Sequence, residues 1–507
     1  MNPLKQSLDK DLEKIVHVEA AARSLSGRLT APSLALLFLG FSGLLALVIS
    51  GFGNNATLIV FAAILGAYMA LNIGANDVAN NVGPAVGARA MTLVWALVIA
   101  AICESAGALL AGGDVVSTIA KGIIDPTQVS EQQTFIWAMM SSLMAAAIWV
   151  NLATWIGAPV STTHAVVGGV MGAGIAAVGF SLIQWGTLGA IAASWVISPI
   201  LGGVIAALFL AFIKVYVIYR DDKIAAARRW IPLLVAIMAG SFFGYLVLKG
   251  LSHIWKPSGL VILTLSGVVF LICWAAMNPI IRRQSRGMEN RNQSLRALFR
   301  FPLICSAALL SFAHGANDVA NAIGPLAAIL HSLQDGKVAA TVTVPIWVML
   351  IGAFGISLGL FLYGPKLIRM VGARITKMNP MRAFCVALSA AITVILASGL
   401  GLPVSSTHIA VGAVFGVGFF REFYTSRQRV IRKAERRLQT DAAWAGTERR
   451  GAKSVPRLVP QEIAHRKLVR RSHFLTIIAA WLITVPASAR LSAGIFLIVT
   501  SVMDIGS

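Results

Sequence analysis

The stretch GANDVANNVGPAVGA at residues 74–88 recurs in the second half of the chain as GANDVANAIGPLAAI at residues 315–329. Each copy follows an apolar run, and an aspartate at the centre of an apolar membrane helix costs about 2.5–3.5 kcal/mol even on lenient insertion scales. Ionisable residues inside membrane segments are functional by default. The sequence therefore predicts that Asp77 and Asp318 belong to a functional site.

A second motif also occurs twice, as APVSTTHAVVGGV at 158–170 and as LPVSSTHIAVGAV at 402–414. Two motifs in the same order at similar separation indicate an internal repeat. Pro followed by Ser or Thr is typical of a helix start. A helix start offers unpaired N–H groups and a positive dipole end, so these motifs favour an anion.

The composition predicts a protein that crosses the membrane many times. Of its 507 residues, 57% are hydrophobic and 12% are charged, against roughly 25% charged in a soluble domain. Spanning a bilayer takes about 20 apolar residues, and the chain holds about 11–13 runs that approach this length. We expect an all-α polytopic membrane protein with broken or re-entrant helices, and for the pairs 134–180 and 381–420 re-entrant hairpins are the alternative to full spans.

The positive charge reports membrane topology. The formal net charge is +22, but 36 of the 42 Lys and Arg residues fall in five segments, namely 1–28, 214–229, 282–300, 365–382 and 421–472. By the positive-inside rule these segments are predicted to face the cytoplasm. Nucleic acid is therefore not an expected partner, and the 421–472 segment is read as a solvated loop, with acidic lipid head groups as an alternative partner.

When every basic loop is placed on the cytoplasmic side, the first GANDVAN copy ends at the inner face of the membrane and the second copy ends at the outer face. Such an arrangement is an inverted-topology repeat, which places a substrate site between the repeats and near the membrane midplane. The predicted segments are a cytoplasmic tail at 1–32, an extra membrane segment at 33–52, a first repeat at 56–213, a linker with two membrane segments at 214–300, a second repeat at 301–420, a basic cytoplasmic loop at 421–472 and a last membrane segment at 473–507.

The motifs contain no Lys or Arg, so an oxyanion beside Asp77 and Asp318 would be repelled unless a cation accompanied it. Carboxylate, amide and hydroxyl oxygens suit a hard cation such as sodium, and an aspartate can instead take a proton. We infer a cation-coupled oxyanion symporter. Helix-interrupting residues should open the motif helices towards a polar cavity, and they are Gly74, Gly83, Pro84, Gly315, Gly324 and Pro325.

The duplicated GANDVAN and PVS[TS]TH motifs resemble those of the inorganic phosphate transporter (PiT) family, and the likeness covers nearly all of 56–420. The resemblance implies an inverted-repeat carrier that moves inorganic phosphate with sodium or protons, in the cell inner (plasma) membrane, as a homodimer and without a cofactor. It implies sodium at Asp77 and Asp318. By the same resemblance the phosphate-binding residues are Asn76, Asp77, Asn80, Asn317, Asp318, Asn321, Ser161, Thr162, Thr163, Ser405, Ser406 and Thr407.

Several alternatives stay open at this point. Glu104 either pairs with a buried base or acts as a third cation-linked carboxylate. For His164 and His408, which follow the Ser/Thr clusters, proton relay and metal ligation are alternatives to histidines simply hydrogen-bonded near the helix starts. Ser, His and Asp together suggest a hydrolase, but a catalytic triad needs one of each, and here each motif occurs twice. An anion channel would need positive lining groups. Among carriers, sulfate is the alternative substrate; unlike sulfate, phosphate has a proton to donate to a carboxylate.

Overall fold

The computed structural model describes residues 29–124, 129, 131–158, 160–250, 257–335, 344–374, 378–424 and 471–506. In these ranges, 11 helices are long and apolar enough to cross a membrane. The one β pairing recorded among the described residues is an isolated bridge between Ile124 and Ile183. The predicted all-α polytopic architecture is therefore confirmed.

The first half of the chain comprises the helices α1 (Leu29–Ser50), α2 (Ala56–Gly87), α3 (Leu93–Ala111), α4 (Gly113–Lys121), α5 (Gln132–Ile156), α6 (Thr162–Val178) and α7 (Trp185–Ile213). The rest of the chain comprises α8 (Lys223–Tyr245), α9 (Gly259–Gln284), α10 (Asn292–Leu298), α11 (Arg300–Asp335), α12 (Ile346–Arg374), α13 (Pro380–Gly399), α14 (406–424) and α15 (Arg471–Gly506). The first motif lies in α2 and the second copy in α11.

The prediction that the motif glycines and prolines interrupt their helices is wrong. Helix α2 runs unbroken to Gly87 with Pro84 inside it, and α11 runs unbroken to Asp335 with Pro325 inside it. Gly74 instead permits a close approach, because a Cβ at that position would overlap the carbonyl oxygen of Ile356. The chain breaks between α5 and α6 and between α13 and α14, at the second motif.

Glycines fix α2 against α12 and α11 against α3. A Cβ at Gly315 would overlap the Glu104 carbonyl oxygen, just as one at Gly74 would overlap that of Ile356. The partner helices contribute a glycine to each of these contacts as well. A Cβ at Gly107 of α3 would overlap the Phe312 carbonyl oxygen of α11, and a Cβ at Gly359 of α12 would overlap the Leu71 carbonyl oxygen of α2. We name these four helices, α2, α3, α11 and α12, the aspartate block.

Helices α2 and α11 run antiparallel within the aspartate block. Gly66 packs on Leu326, and the later Asp77 lies beside the earlier His314. Because α2 passes from Gly66 to Asp77 while α11 passes from His314 to Leu326, the two chain directions oppose each other. The two copies of the first motif therefore point in opposite directions.

A second group of helices is held by the same kind of contact. A Cβ at Gly168 of α6 would lie 2.6 Å from the Val485 carbonyl oxygen of α15. Gly412 of α14 meets the carbonyl of Pro199 in α7 in the same way. At the helix starts, the His164 ring stacks on Trp195 of α7 with 3.7 Å between ring centroids. We name these four helices, α6, α7, α14 and α15, the hydroxyl block.

One described residue from each of four basic segments lies in a shared pocket at one end of the bundle. Lys214, Arg296, Arg382 and Arg421 line a single pocket, and each comes from a different one of the segments that the sequence singles out. These four residues therefore lie on the same side of the helix bundle.

Candidate substrate and cation site

The Asp77 carboxylate accepts hydrogen bonds from both halves of the chain. Thr162 at the start of α6 donates to Asp77 Oδ2 at 3.0 Å, and Thr407 at the start of α14 donates to Oδ1 at 3.0 Å. The Asn80 amide in turn donates to Thr407 Oγ1 at 2.8 Å. All four side chains are buried. One carboxylate thus ties the aspartate block to both helix starts of the hydroxyl block.

Asp318 repeats this arrangement from the second half of the chain. Ser406 donates to Asp318 Oδ2 at 3.0 Å, and the Thr163 hydroxyl lies 3.4 Å from Oδ1. The Asn321 amide donates to Asp318 Oδ1 at 3.2 Å and to Thr163 at 3.1 Å. The structure therefore brings the Asn-Asp motifs into contact with the Ser/Thr helix starts around both carboxylates.

A histidine that the sequence patterns did not single out stands between the two aspartates. His314 Nε2 is 2.7 Å from Asp318 Oδ2 and 3.8 Å from Asp77 Oδ2. Its Nδ1 is 3.3 Å from Glu104 Oε1, which also accepts from the Asn81 amide at 2.7 Å. Glu104 therefore contacts a buried base, and its second oxygen, Oε2, receives no hydrogen bond.

The sequence contained a signal for His314. It precedes Asp318 by four residues, and residues at i and i+4 share one face of a helix. At the matching place in the first copy stands Ile73, so the repeat argument that singled out the aspartates could not find the histidine.

Asn76 and Asn317 hold the segments that lead into the hydroxyl-bearing helices. Asn317 donates to Ser398 Oγ at 2.9 Å and accepts from the Val404 N–H at 3.2 Å. Asn76 lies 2.9 Å from Thr154 Oγ1. With its amide turned so that the oxygen accepts from Thr154, its nitrogen donates to Asp77 Oδ1 at 3.0 Å and to the Val160 carbonyl at 3.1 Å.

Ser161 and Ser405 cap the two helix starts. Ser161 Oγ accepts from the His164 N–H at 3.2 Å, and Ser405 Oγ accepts from the His408 N–H at 3.3 Å. The His164 ring Nδ1 also contacts Ser161 Oγ at 2.7 Å, and the two histidine rings lie 4.5 Å apart. In these contacts the two serines and His164 hold the helix starts, whereas the Thr162, Thr163, Ser406 and Thr407 hydroxyls face the aspartates.

The donor set suits a hard cation. Asp77, His314 and Asp318 each place one ligand atom within 4.8 Å of the others, and carboxylate, hydroxyl and amide oxygens surround them. Among the described residues, three buried side-chain carbonyl or carboxylate oxygens receive no hydrogen bond: Asn81 Oδ1, Glu104 Oε2 and Asn321 Oδ1. A buried acceptor without a donor costs about 1–3 kcal/mol, so a cation bound at any one of these oxygens would be stabilised.

The profile described as "Phosphate transporter family" matches residues 73–492 of this chain. The chain belongs to the phosphate transporter family. This is a family of transporters and not of enzymes, so the hydrolase alternative is rejected. Membership of the family supports phosphate transport. The many spanning helices make the chain a multi-pass membrane protein.

Relatives and a solved structure extend the likeness. A Helicobacter pylori (strain J99) protein named "Putative phosphate permease" is 44% identical over 96% of this chain and 98% of its own length. A Pyrococcus abyssi protein of the same description is 37% identical over 74% of this chain and 92% of its own. A solved structure described as "The sodium-dependent phosphate transporter" has a TM-score of 0.76 and 34% identity, covering 88% of this chain and 99% of that one.

Proposed function

We propose that this chain is a secondary active symporter that moves inorganic phosphate across the cell membrane together with a cation, by alternating access. Sodium is favoured over the proton as the coupling ion. The observation that carries this proposal is the meeting of Asp77 and Asp318, from the two motif copies, with the hydroxyls of two helix starts.

The need for a cation follows from charge. Phosphate is an anion, and two buried carboxylates repel it at short range. Among the described residues, the one basic side chain in contact with both carboxylates is His314, which cannot offset two aspartates and a phosphate. Cations bound at the carboxylates would remove the repulsion and make anion binding depend on cation binding.

Sodium is favoured by the oxygen-rich donor set. Asn81 Oδ1 and Asn321 Oδ1 are neutral buried acceptors without a donor, and amide oxygens serve a metal cation but not a carried proton. The similar solved structure is of a sodium-dependent phosphate transporter, which points the same way. Proton coupling would instead use Asp77 or Asp318 as the proton carrier.

Alternating access is assigned to movement between the two blocks. The carboxylates lie in the aspartate block and the hydroxyls in the hydroxyl block, so the substrate site lies on the boundary between them. The hydrogen bonds from Thr162, Thr407 and Ser406 cross this boundary. Relative movement of the blocks would exchange these bonds for contacts with phosphate and cation.

The inverted repeat is part of the proposal and is supported by paired contacts. Contacts of α2 with α12 recur between α11 and α3, and contacts of α6 with α15 recur between α14 and α7. On this pairing α15 corresponds to α7, so we extend the second repeat from its predicted end at 420 to include the last helix. The cytoplasmic location of the N-terminus and the basic loops remains a proposal, as does the homodimer, which light scattering in detergent tests.

The deciding experiment is uptake of radiolabelled phosphate into proteoliposomes of the purified chain. The vesicles carry an inward sodium gradient, an inward proton gradient or neither, and sulfate is added as a competitor. Sodium-driven accumulation is the expected result. Accumulation under a proton gradient alone would transfer the coupling role to a carried proton.

Two other results would overturn the proposal. Rapid phosphate flux that is indifferent to both gradients would indicate an anion channel. Sulfate uptake without phosphate uptake would be consistent with a carrier but would reject phosphate as its substrate. We expect phosphate to prevail, because a protonated phosphate oxygen can donate to a carboxylate such as Asp77 and sulfate at neutral pH cannot.

A further inference from the structure

A basic pocket lies at one end of the bundle, lined by one described residue from each of four basic segments. It has a volume of about 220 Å³, and its cationic lining residues are Lys214, Arg296, Arg382 and Arg421. They extend from the end of α7, from α10, from the first turn of α13 and from the end of α14. Since four separate elements supply these cations, the pocket is built by the tertiary fold and not by one charged helix.

Among the described residues, the lining of the basic pocket contains no carboxylate. No ion pair found within the described ranges involves any of the four cations. The lining adds polar groups that can also donate to an anion, among them Asn292, Asn379 and Tyr219. Arginine and lysine gathered in this way recognise phosphate oxygens.

Lys214 joins the basic pocket to an apolar cavity. Its Nζ lies 5.1 Å from the ring centroid of Phe420 and 4.2 Å from that of Tyr424. Phe420 also lines a cavity of about 950 Å³ between α7, α14 and α15. Along α7 the cavity residues Gly203 and Ala207 lead towards Leu210 and Lys214 of the basic pocket.

The apolar cavity is open to the surface that lipid covers in a membrane protein. Val196, Ile200 and Val204 of its wall are 50–62% exposed, on a helix long and apolar enough to span the bilayer. Its far part is lined by His164 and His408, which follow the hydroxyls that face the aspartates.

We propose that this composite site binds one anionic glycerophospholipid, with the headgroup phosphate in the basic pocket and an acyl chain in the apolar cavity. Charge complementarity identifies the headgroup, since basic pockets between membrane helices bind anionic lipid headgroups. The adjoining apolar space identifies the rest, since an inorganic anion would use the pocket alone. The assignment is independent of phosphate transport.

The lipid would bind the moving part of the proposed carrier. Gly203, Phe420 and His164 all belong to the hydroxyl block, and the basic pocket adds Arg382 of α13 and Arg296 of α10. A lipid in this place would connect the hydroxyl block to elements outside it. Its binding is the first property to test, because it can be measured without any transport.

The test is native mass spectrometry of the full-length purified chain titrated with phosphatidylglycerol, and in parallel with phosphatidylcholine. We expect one saturable phosphatidylglycerol site that phosphatidylcholine fills at least tenfold more weakly. The double variant Lys214→Gln/Arg421→Gln should weaken phosphatidylglycerol binding at least tenfold. The control variant Arg283→Gln/Arg291→Gln removes the same charge from exposed positions and should bind like the natural chain.

A second variant tests the acyl part of the site. Ala207→Trp fills the cavity beside α7 and leaves the cations in place, so phosphatidylglycerol binding should again weaken at least tenfold. The cation variant could lose phosphatidylglycerol binding while Ala207→Trp keeps it, and millimolar inorganic phosphate could displace the lipid. These two results together would overturn the assignment of a lipid and indicate a site for a free anion. Equal binding of both lipids, or equal loss in the control variant, would reject the site. Size-exclusion profiles matching the natural chain establish that each variant is folded.

Discussion

Gly315 packs against the backbone of Glu104 where α11 crosses α3, and its replacement tests the packing around the site. In Gly315→Ala the new Cβ would overlap the Glu104 carbonyl oxygen and lie 2.7 Å from the carbonyl carbon, below the 3.0 Å that Cβ atoms in proteins essentially never show. The obstacle is backbone, so no side-chain rotation can relieve it. Helix α3 must move away from α11.

The cost can be bounded from two opposing effects. Overpacking a close contact costs about 1–3 kcal/mol and occasionally more, and a rigid backbone partner puts Gly315→Ala at the upper end. Alanine in place of glycine inside a helix returns about 1 kcal/mol. We expect a net loss of about 2 kcal/mol or more. Because the moving residue is Glu104, its contact with His314, 3.3 Å long, should be lost too.

A matched control lies in the same motif. Gly83 is inside α2, and no atom lies within 4 Å of a Cβ added there. Gly83→Ala should therefore be neutral or stabilising by up to about 1 kcal/mol. The assay is the thermal unfolding midpoint of each purified variant in detergent, followed by sodium-driven phosphate uptake in proteoliposomes.

We expect Gly315→Ala to unfold several degrees lower and to lose most uptake, with Gly83→Ala close to the natural chain. Gly74→Ala, which meets the Ile356 carbonyl in the same way, should resemble Gly315→Ala. Equal midpoints and equal uptake for Gly315→Ala and Gly83→Ala would refute the close backbone crossing.

Four further predictions concern the site and the topology. Asp77→Asn keeps the side-chain shape but removes a buried charge; uptake should fall roughly a hundredfold in a protein that still inserts, and natural uptake would remove Asp77 from the site. His314→Gln should alter the sodium titration of uptake, whereas an unchanged titration would leave His314 with a structural role. Thr407→Val deprives two buried groups of a partner, which should lower the free energy of unfolding by about 1.5–3 kcal/mol and reduce uptake; Thr393→Val, whose hydroxyl bonds to its own helix, should cost much less stability and leave uptake near that of the natural chain. A cysteine at Ala443, in the 421–472 segment, should resist impermeant maleimide on intact cells, and labelling from outside would reverse the proposed orientation.

Duplication made the central part of the site predictable. Asp77 and Asp318 were identified because each stands at the same place in a repeated stretch, and a repeated polar group in an apolar helix has few explanations other than function. The hydroxyl clusters were identified by the same logic. The sequence could not assign partners, and the structure gives Asp77 one hydroxyl from each half.

The features that escaped prediction are those that are not repeated or that depend on distance in space. His314 has an isoleucine as its counterpart, so no repeat marked it. Local propensity, which is all that a sequence shows, predicts that Gly74 and Gly315 interrupt their helices. Their role is set by Ile356 and Glu104, more than two hundred residues away in each case. From the sequence alone, a glycine needed for close packing against a distant segment cannot be distinguished from one needed for its own backbone conformation.

The glycine crossings limit how the aspartate block can deform. At each one, a helix backbone rests directly on the carbonyl of its partner, and a slide of one helix along the other would drive the Cβ of an adjoining residue into that carbonyl. Translation is therefore blocked at these points, whereas a small rotation about them keeps the same atoms in contact. The two crossings, each made of two glycine contacts, therefore act as pivots, and a mutation that adds one methyl group at either crossing would hinder a motion measured many residues away.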